Sequence, residues 1–443
     1  MNIPQPKIIV LDDDPTGSQT VHSCLLLLRW DVDTLRLGLR DAAPIFFILT
    51  NTRALTPERA ASVTREVCRN LKTALAAEGI GEFLVVSRSD STLRGHYPIE
   101  TDAIAEELGG FDAHFLVPAF FEGGRITRDS VHYLIVEGQP IPVHETEFAR
   151  DSVFGYHHSY LPDYVAEKTQ GRIPAAAVER FLLAELRAGT QTRLENLHHN
   201  QCVVVDAETQ EDLDAFAAEV LAAAQRGKRF LFRSAASLLT SLAKLGPQPV
   251  PATDMAQYRA SNRPGVILIG SHVQKTTQQL QELLKDPTVF PIPIDIVPLR
   301  DRPNLAAALR QETLTKVQAA LDLDKTPIIF TSRQELQFGD PEERLAFGLT
   351  VSALLMAIVQ ELPPEISFLI SKGGITSNDV LSTGLNLRDA RLQGQILPGC
   401  SLVLTPADHP RFPKLPVVLF PGNVGDAQGL AKVYRRLSRL SSL

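Results

Sequence analysis

Short apolar runs that alternate with amphipathic stretches constrain this chain more than any other feature. "KIIVL", "PIFFILT", "EFLVVS", "AHFLVPAF", "CVVVDA" and "RFLFRS" occur in the first half, and "GVILIGS", "TPIIFTS", "ISFLIS", "SLVLTP" and "PVVLFPGN" in the second. Each is too short for a buried helix and is bounded by polar or turn residues, as expected for strands buried on both faces. Between them lie helical patterns. One is "LTPERAASVTREVCRNLKTALAAEG", where Thr56 is placed to cap and Pro57 to open a helix to Glu78; another is "DPEERLAFGLTVSALLMAIVQEL", Asp340 to Leu362. The alternation predicts an α/β protein with mostly parallel sheets flanked by helices. At 443 residues the chain is longer than one core usually serves. Periodicity fails and prolines gather over Lys244 to Gly265, so the expected division is residues 1–245, a linker at 246–264, and residues 265–443.

Charge and cysteine content exclude some functions. A net charge of −7 provides no general field for nucleic acid or anionic lipid, so any anionic ligand must be held by local groups. Cys24, Cys68, Cys202 and Cys400 have no paired or metal-ligand spacing and read as reduced thiols. The N-terminus lacks the apolar stretch of a signal peptide, and no run approaches the roughly 18 apolar residues of a membrane span, so a cytoplasmic protein with no membrane partner is expected. His157-His158 and His198-His199 lack partners at metal spacing, and no metal site is expected.

In open parallel sheets, ligands collect beyond the carboxyl ends of strands. "IIVLDDDPTGSQTVH" puts Asp12, Asp13 and Asp14 at such an end, where mutual repulsion should raise at least one pKa unless a cation or donor compensates. Turn chemistry explains one Asp there more readily than three. A second end, "VVSRSDSTLRGHYPIE", gathers Arg88, Asp90, Ser91, Thr92, Arg94 and Gly95; a third, "LVPAFFEGGRITRDS", brings Gly123 and Gly124 to Arg125. Any one Arg could be a surface ion pair, but together these ends suit a small hydroxylated carboxylate. The second half differs. "LIGSHVQKTTQQLQELL", "FLISKGGITSNDVL" and "VVLFPGNVGDAQGL" each run strand, glycine turn, helix, which is phosphate-binding chemistry; neither GxxxxGK[ST] nor GxGxxG is present.

In this order, "LDDDPTGSQTVH", "SRSDSTLRGHYPIE", "VPAFFEGGRI", "IGSHVQKTTQQL", "SKGGITSNDV" and "PGNVGD" resemble the four-carbon acid sugar kinase family over nearly the whole chain. The resemblance implies an N-terminal domain for the acid sugar, a C-terminal domain for ATP, and a phosphorylated tetronate or 3-oxo-tetronate as product. It places Asp12, Asp13, Ser91, Thr92, Arg94 and Gly95 on the substrate side, and Ser271, Gly373, Gly374, Gly422 and Asn423 on the nucleotide side. The expected reaction is ATP-dependent phosphorylation of a sugar-acid hydroxyl at the cleft between the two domains, with Mg²⁺, and a homodimer is compatible with it. Asp13 is assigned as base with Asp12 in support, a water-mediated hold on Mg²⁺ being the other use of these carboxylates; Arg94 would clamp the substrate carboxylate. Two departures mark a distinct subgroup: Asp14-Pro15 precedes Thr16-Gly17, and Lys372 and Ile375 bracket the glycine pair where many members place other residues. The alternative is a non-catalytic sensor of nucleotide or sugar acid on the same fold.

Overall fold

The computed structural model describes residues 5–333, 336 and 338–438. The chain divides into two compact units, Met1–Pro247 and Gln248–Leu443.

The first unit is built on the expected strands. Its main sheet contains β1 (Lys7–Asp12), β2 (Leu25–Leu27), β3 (Ile45–Leu49), β4 (Phe83–Arg88) and β5 (Ala113–Val117). A small antiparallel sheet follows, made of β6 (Arg125–Arg128), β7 (Val131–Val136) and β8 (Gln139–Pro142). β9 (Glu179–Phe181), β10 (Gln201–Val205) and β11 (Phe230–Ser234) complete the main sheet. Among the described residues its order is β2-β3-β1-β4-β11-β5-β10-β9, and every pairing is parallel. Ile8 to Val10, Ile45 to Ile48 and Phe230 to Phe232 are fully buried, because helices cover both faces. The helix Pro57–Glu78 starts as expected: the Thr56 hydroxyl accepts from the Arg59 amide, and Gly79, at φ 66°, ends it in the left-handed conformation. Val63, Val67, Cys68 and Leu71 form its buried stripe.

The second unit has β12 (Val266–Ile269), β13 (Val289–Ile294), β14 (Thr326–Thr331), β15 (Leu369–Lys372), β16 (Asp389–Leu397), β17 (Cys400–Leu404) and β18 (Pro416–Phe420). The order is β13-β14-β12-β15-β18-β17-β16, parallel as far as β18 and antiparallel across β17 and β16. Part of the proline-rich segment packs into this unit. Met255 is fully buried in this unit's cluster, with Val250 and Tyr258 packed against it. All four cysteines are buried and free.

One expectation is corrected. Within the helix Pro341–Glu361, residues Glu343–Glu361 are long and apolar enough, by length and composition, to cross a membrane. Gly348, Thr350 and Ser352 divide this stretch into runs that look short in the sequence. Leu354, Leu355, Ile358 and Val359, in the later half, are buried in the second unit.

Candidate active site

Parallel pairing aligns the exits of β1, β3, β4 and β11 at one end of the first unit's sheet, with Asp12 opposite Arg88 and Leu49. The Asp12 carbonyl accepts from the Thr50 amide and hydroxyl, each at 2.9 Å, and the Asp13 carbonyl accepts from the Arg53 amide at 3.3 Å. The two exits are thus joined, and the Arg53 side chain lies against the acidic triplet. Its guanidinium holds Asp13 at two points, Nη2 to Oδ1 at 2.5 Å and Nε to Oδ2 at 3.2 Å, and reaches Asp14 Oδ2 with Nη1 at 3.1 Å. Arg88 Nη1 stands 3.3 Å from Asp12 Oδ1 and 3.8 Å from Asp13 Oδ1.

The repulsion expected among the three carboxylates is therefore largely compensated, and they separate by environment. Burial pushes the Asp12 carboxyl up to about 7 against the pull of Arg88, and its Oδ2 is buried with no hydrogen-bond partner. Burial also raises Asp13, opposed by Arg53. For Asp14, burial is outweighed by Arg53, Arg88 and hydrogen bonds from Thr16, which leave it below the ordinary carboxylate value. The turn from Asp14 to Gly17 lies over Asp12: a Cβ on Gly17 would sit 2.1 Å from Asp12 Oδ1, so only glycine fits there. Asp13, expected as the base, has both oxygens engaged by Arg53, whereas Asp12, expected in support, has one oxygen unengaged.

Asp90, Ser91, Thr92, Arg94 and Gly95 form the turn after β4. Asp90 Oδ2 accepts from the Thr92 hydroxyl, the Thr92 amide at 3.2 Å and Arg94 Nε at 2.9 Å. Burial would raise the Asp90 carboxyl, but Arg53 and Arg94 carry it well below its ordinary value. Ser91 is held by its carbonyl, 2.8 Å from His132 Nε2, and Thr92 by its carbonyl, which accepts from Tyr156 at 2.7 Å. Gly95, at φ 120°, comes close to Asp13: a Cβ there would lie 3.1 Å from Asp13 Oδ2 and 2.5 Å from Arg233 Nη2. Arg94 and Arg125 both lie over the Phe148 ring, at 5.0 and 5.9 Å, so the third expected strand end joins the same site. Arg125 Nε is buried without a partner. A small cavity beside this turn is lined by Ser89, Asp90, Leu116, Tyr164, Arg233 and Ser234.

Three site residues escaped sequence reasoning: Arg53, Arg233 and Glu100. Arg233 Nη1 donates to Glu100 Oε2 at 2.5 Å and to Ser87 at 2.8 Å. Arg53 and Arg233 stand at the exits of β3 and β11, so the strand-end rule that found Asp12 would have found both had it been applied to "ILTNTRA" and "RFLFRS".

In the second unit the exits of β12, β15 and β18 converge. Ser271 and Gly270 amides lie 3.3 Å from the Lys372 carbonyl, and the Gly373 amide donates to the Phe420 carbonyl at 2.8 Å. Thr276 Oγ1 bridges Ser271 Oγ at 3.2 Å and the Gly422 carbonyl at 3.1 Å, and Lys275 Nζ reaches the Asn423 carbonyl at 3.2 Å. Ser271, Gly373, Gly374, Gly422 and Asn423 are thus brought together. Gly373, at φ 127°, has Ser271 Cβ 3.1 Å from where its own Cβ would be. Gly374 has nothing within 4 Å of that position. Accordingly, Gly374→Val should leave the melting temperature almost unchanged, and if this end takes a nucleotide phosphate as the sequence suggests, should weaken nucleotide binding at least tenfold, about 1.4 kcal/mol. Thermal scans and ATP titration on one preparation check this; a lowered melting temperature with normal affinity would assign the glycine a packing role instead.

Comparison with known proteins gives each half of the chain a family match. Residues 8–242 match the sugar-binding N-terminal domain, and residues 266–430 the nucleotide-binding C-terminal domain. The D-erythronate kinase of Heliobacterium modesticaldum is 26% identical over 404 residues, covering 83% of this chain and 83% of that protein. The D-threonate kinase of Bordetella bronchiseptica is 30% identical over 192 residues, 40% of this chain and 45% of that protein. A solved structure from Salmonella typhimurium LT2 superposes with a TM-score of 0.71 at 20% identity over 98% of this chain and all of the other. One from Haemophilus influenzae does so at 0.64 and 16%, over 97% of this chain and 100% of that one; both speak for the fold alone. These matches define a two-part protein, one part of a sugar-binding class and one of a nucleotide-binding class. It belongs to the four-carbon acid sugar kinase family.

Proposed function

We propose that the chain transfers the terminal phosphoryl group of ATP to a hydroxyl of a small sugar acid of the tetronate or 3-oxo-tetronate type. The observation that carries this reading is the split in chemistry between the units: a buried, incompletely partnered carboxyl among guanidiniums in one, and three converging glycine-bearing strand ends in the other. The names of the kinase relatives support the acid-sugar class. Arg94 and Arg125, together over Phe148, suit a substrate carboxylate, which accepts from two guanidiniums better than from one. Asp12 Oδ2 takes the proton of the attacking hydroxyl once the Asp14–Gly17 turn moves aside. The hydroxyl oxygen bonds to the γ-phosphorus, the bond to the β-phosphate bridging oxygen breaks, and ADP leaves. Asp13 orients Arg53. Mg²⁺ belongs with the ATP phosphates in this scheme, where it would offset their charge; the described residues contain no cluster of three His, Cys, Asp or Glu able to hold a metal.

ADP release measured over a panel of tetronates, pentonates and their 3-oxo forms tests the reading. Turnover confined to four-carbon acids supports it. Binding of ATP and acid without ADP release would leave a sensor in its place.

A further inference from the structure

Lys372, the last residue of β15, is fully buried. Its Nζ donates to the main-chain carbonyls of Pro421 at 2.5 Å and Gly422 at 3.1 Å, and lies 4.0 Å from the centroid of the Phe420 ring. Carbonyl dipoles and a ring face thus surround the Lys372 Nζ, an environment that suits its charged form but supplies no anion. The titratable groups acting on it are Cys400 on β17 and Lys275 on the helix Gln274–Leu283, and neither is a carboxylate. His272, next to Ser271, stands on the neighbouring loop. A buried cation without a counter-ion is costly unless an anion arrives to complete the site. The groups it touches indicate where that anion would sit: Gly422 belongs to the β18 exit loop, and Gly373, its chain neighbour, belongs to the glycine pair.

We propose that a phosphate of the bound nucleotide is the missing counter-ion of Lys372, which acts as a positioning residue beneath the β18 exit loop and takes up a proton when nucleotide binds. This rests on nucleotide binding by the second unit. Burial lowers the Lys372 ammonium to about 7, with Lys275 acting in the same direction. Above pH 7 the free protein therefore holds this lysine mostly neutral. A phosphate nearby favours the charged form and raises its pKa, so binding between those two values consumes a proton, and affinity falls as pH rises, by at most tenfold per unit. The Cys400 thiol is pushed up by burial and stays protonated over this range.

The test is calorimetry of the full chain with ATP and Mg²⁺, without acid acceptor, at pH 8 in two buffers of different ionisation enthalpy. ATP is already fully ionised there, so proton uptake reports on the protein. The wild type should take up close to one proton and lose affinity from pH 7 to 9. Lys372→Met should bind more weakly, with neither proton uptake nor that pH dependence. Lys372→Gln, which keeps a donor for the loop carbonyls without the charge, should bind with intermediate affinity and no uptake. His272 and Lys275 remain in every variant, so differences belong to position 372. Wild-type binding without uptake, or unchanged uptake in Lys372→Met or Lys372→Gln, overturns this inference alone. No ATP binding by the wild type overturns the nucleotide reading and this inference with it.

Discussion

Replacing Arg53 with methionine should lower the unfolding temperature of the first unit by about 6 to 20 °C. The guanidinium is the two-point partner of Asp13 and also holds Asp14, and the Asp13 side chain is only 2% exposed. Removing one partner of a buried ion pair leaves the other charge desolvated and uncompensated, a loss of about 3–5 kcal/mol. In a unit of this size each kcal/mol moves the midpoint by about 2–4 °C. Thermal scans of the variant beside the wild type decide it. A shift below about 2 °C would mean that water or Arg88 takes over the role, and that Arg53 contributes little to the fold.

Asp12→Asn should act on chemistry instead. The variant keeps the side chain's size, and Asp13 remains within reach of Arg88 at 3.8 Å. Loss of a general base typically costs about 10²- to 10⁴-fold, so kcat should fall by that order with a much smaller change in substrate affinity. In the wild type, kcat/KM should rise as pH increases through about 7, where the raised Asp12 carboxyl of the free protein ionises, and the variant should lack that limb. Stability has the opposite sign. Because the folded value lies above the ordinary 3.8, the native state binds the proton more tightly than the unfolded chain. Between pH 4 and 7 this group therefore withdraws stability as pH rises, and Asp12→Asn removes that slope. Near-wild-type kcat in the variant at saturating substrates would move the base elsewhere. Asp13→Asn, by contrast, disrupts the pair with Arg53, so its main effect is expected on melting rather than on kcat alone.

The fold was legible wherever local signals agreed. Thr56, Pro57 and Gly79 mark a helix on both ends, and the strand runs are apolar throughout because both faces are covered. What escaped was structure whose signal is mixed. β13 reads "VFPIPI", with two prolines in a strand, and β16 reads "DARLQGQIL", whose alternating burial shows on only one face. The candidate site was legible as strand ends but not as charge pairs. Nothing in "LDDDP" says that Arg53, forty residues on, will occupy both oxygens of Asp13 and leave Asp12 the perturbed carboxyl. That choice is made by the register of β1 against β3 and β4. Lys372 was noticed only as a departure from the family pattern; the β18 loop carbonyls it holds lie nearly fifty residues away in sequence.

The position of β11 has a consequence for biogenesis. It is the last of the first unit's strands to be synthesised, yet it lies between β4 and β5. Until Phe230–Ser234 leaves the ribosome, both neighbours carry an open hydrogen-bonding edge, and Arg233 cannot meet Glu100 or Ser87. The sheet therefore closes by insertion rather than by growth at its rim, a long-range step that is slow and leaves sticky edges waiting. Both edges therefore stay open for the interval between making β5 and making β11, which is when this chain is most exposed to mispairing.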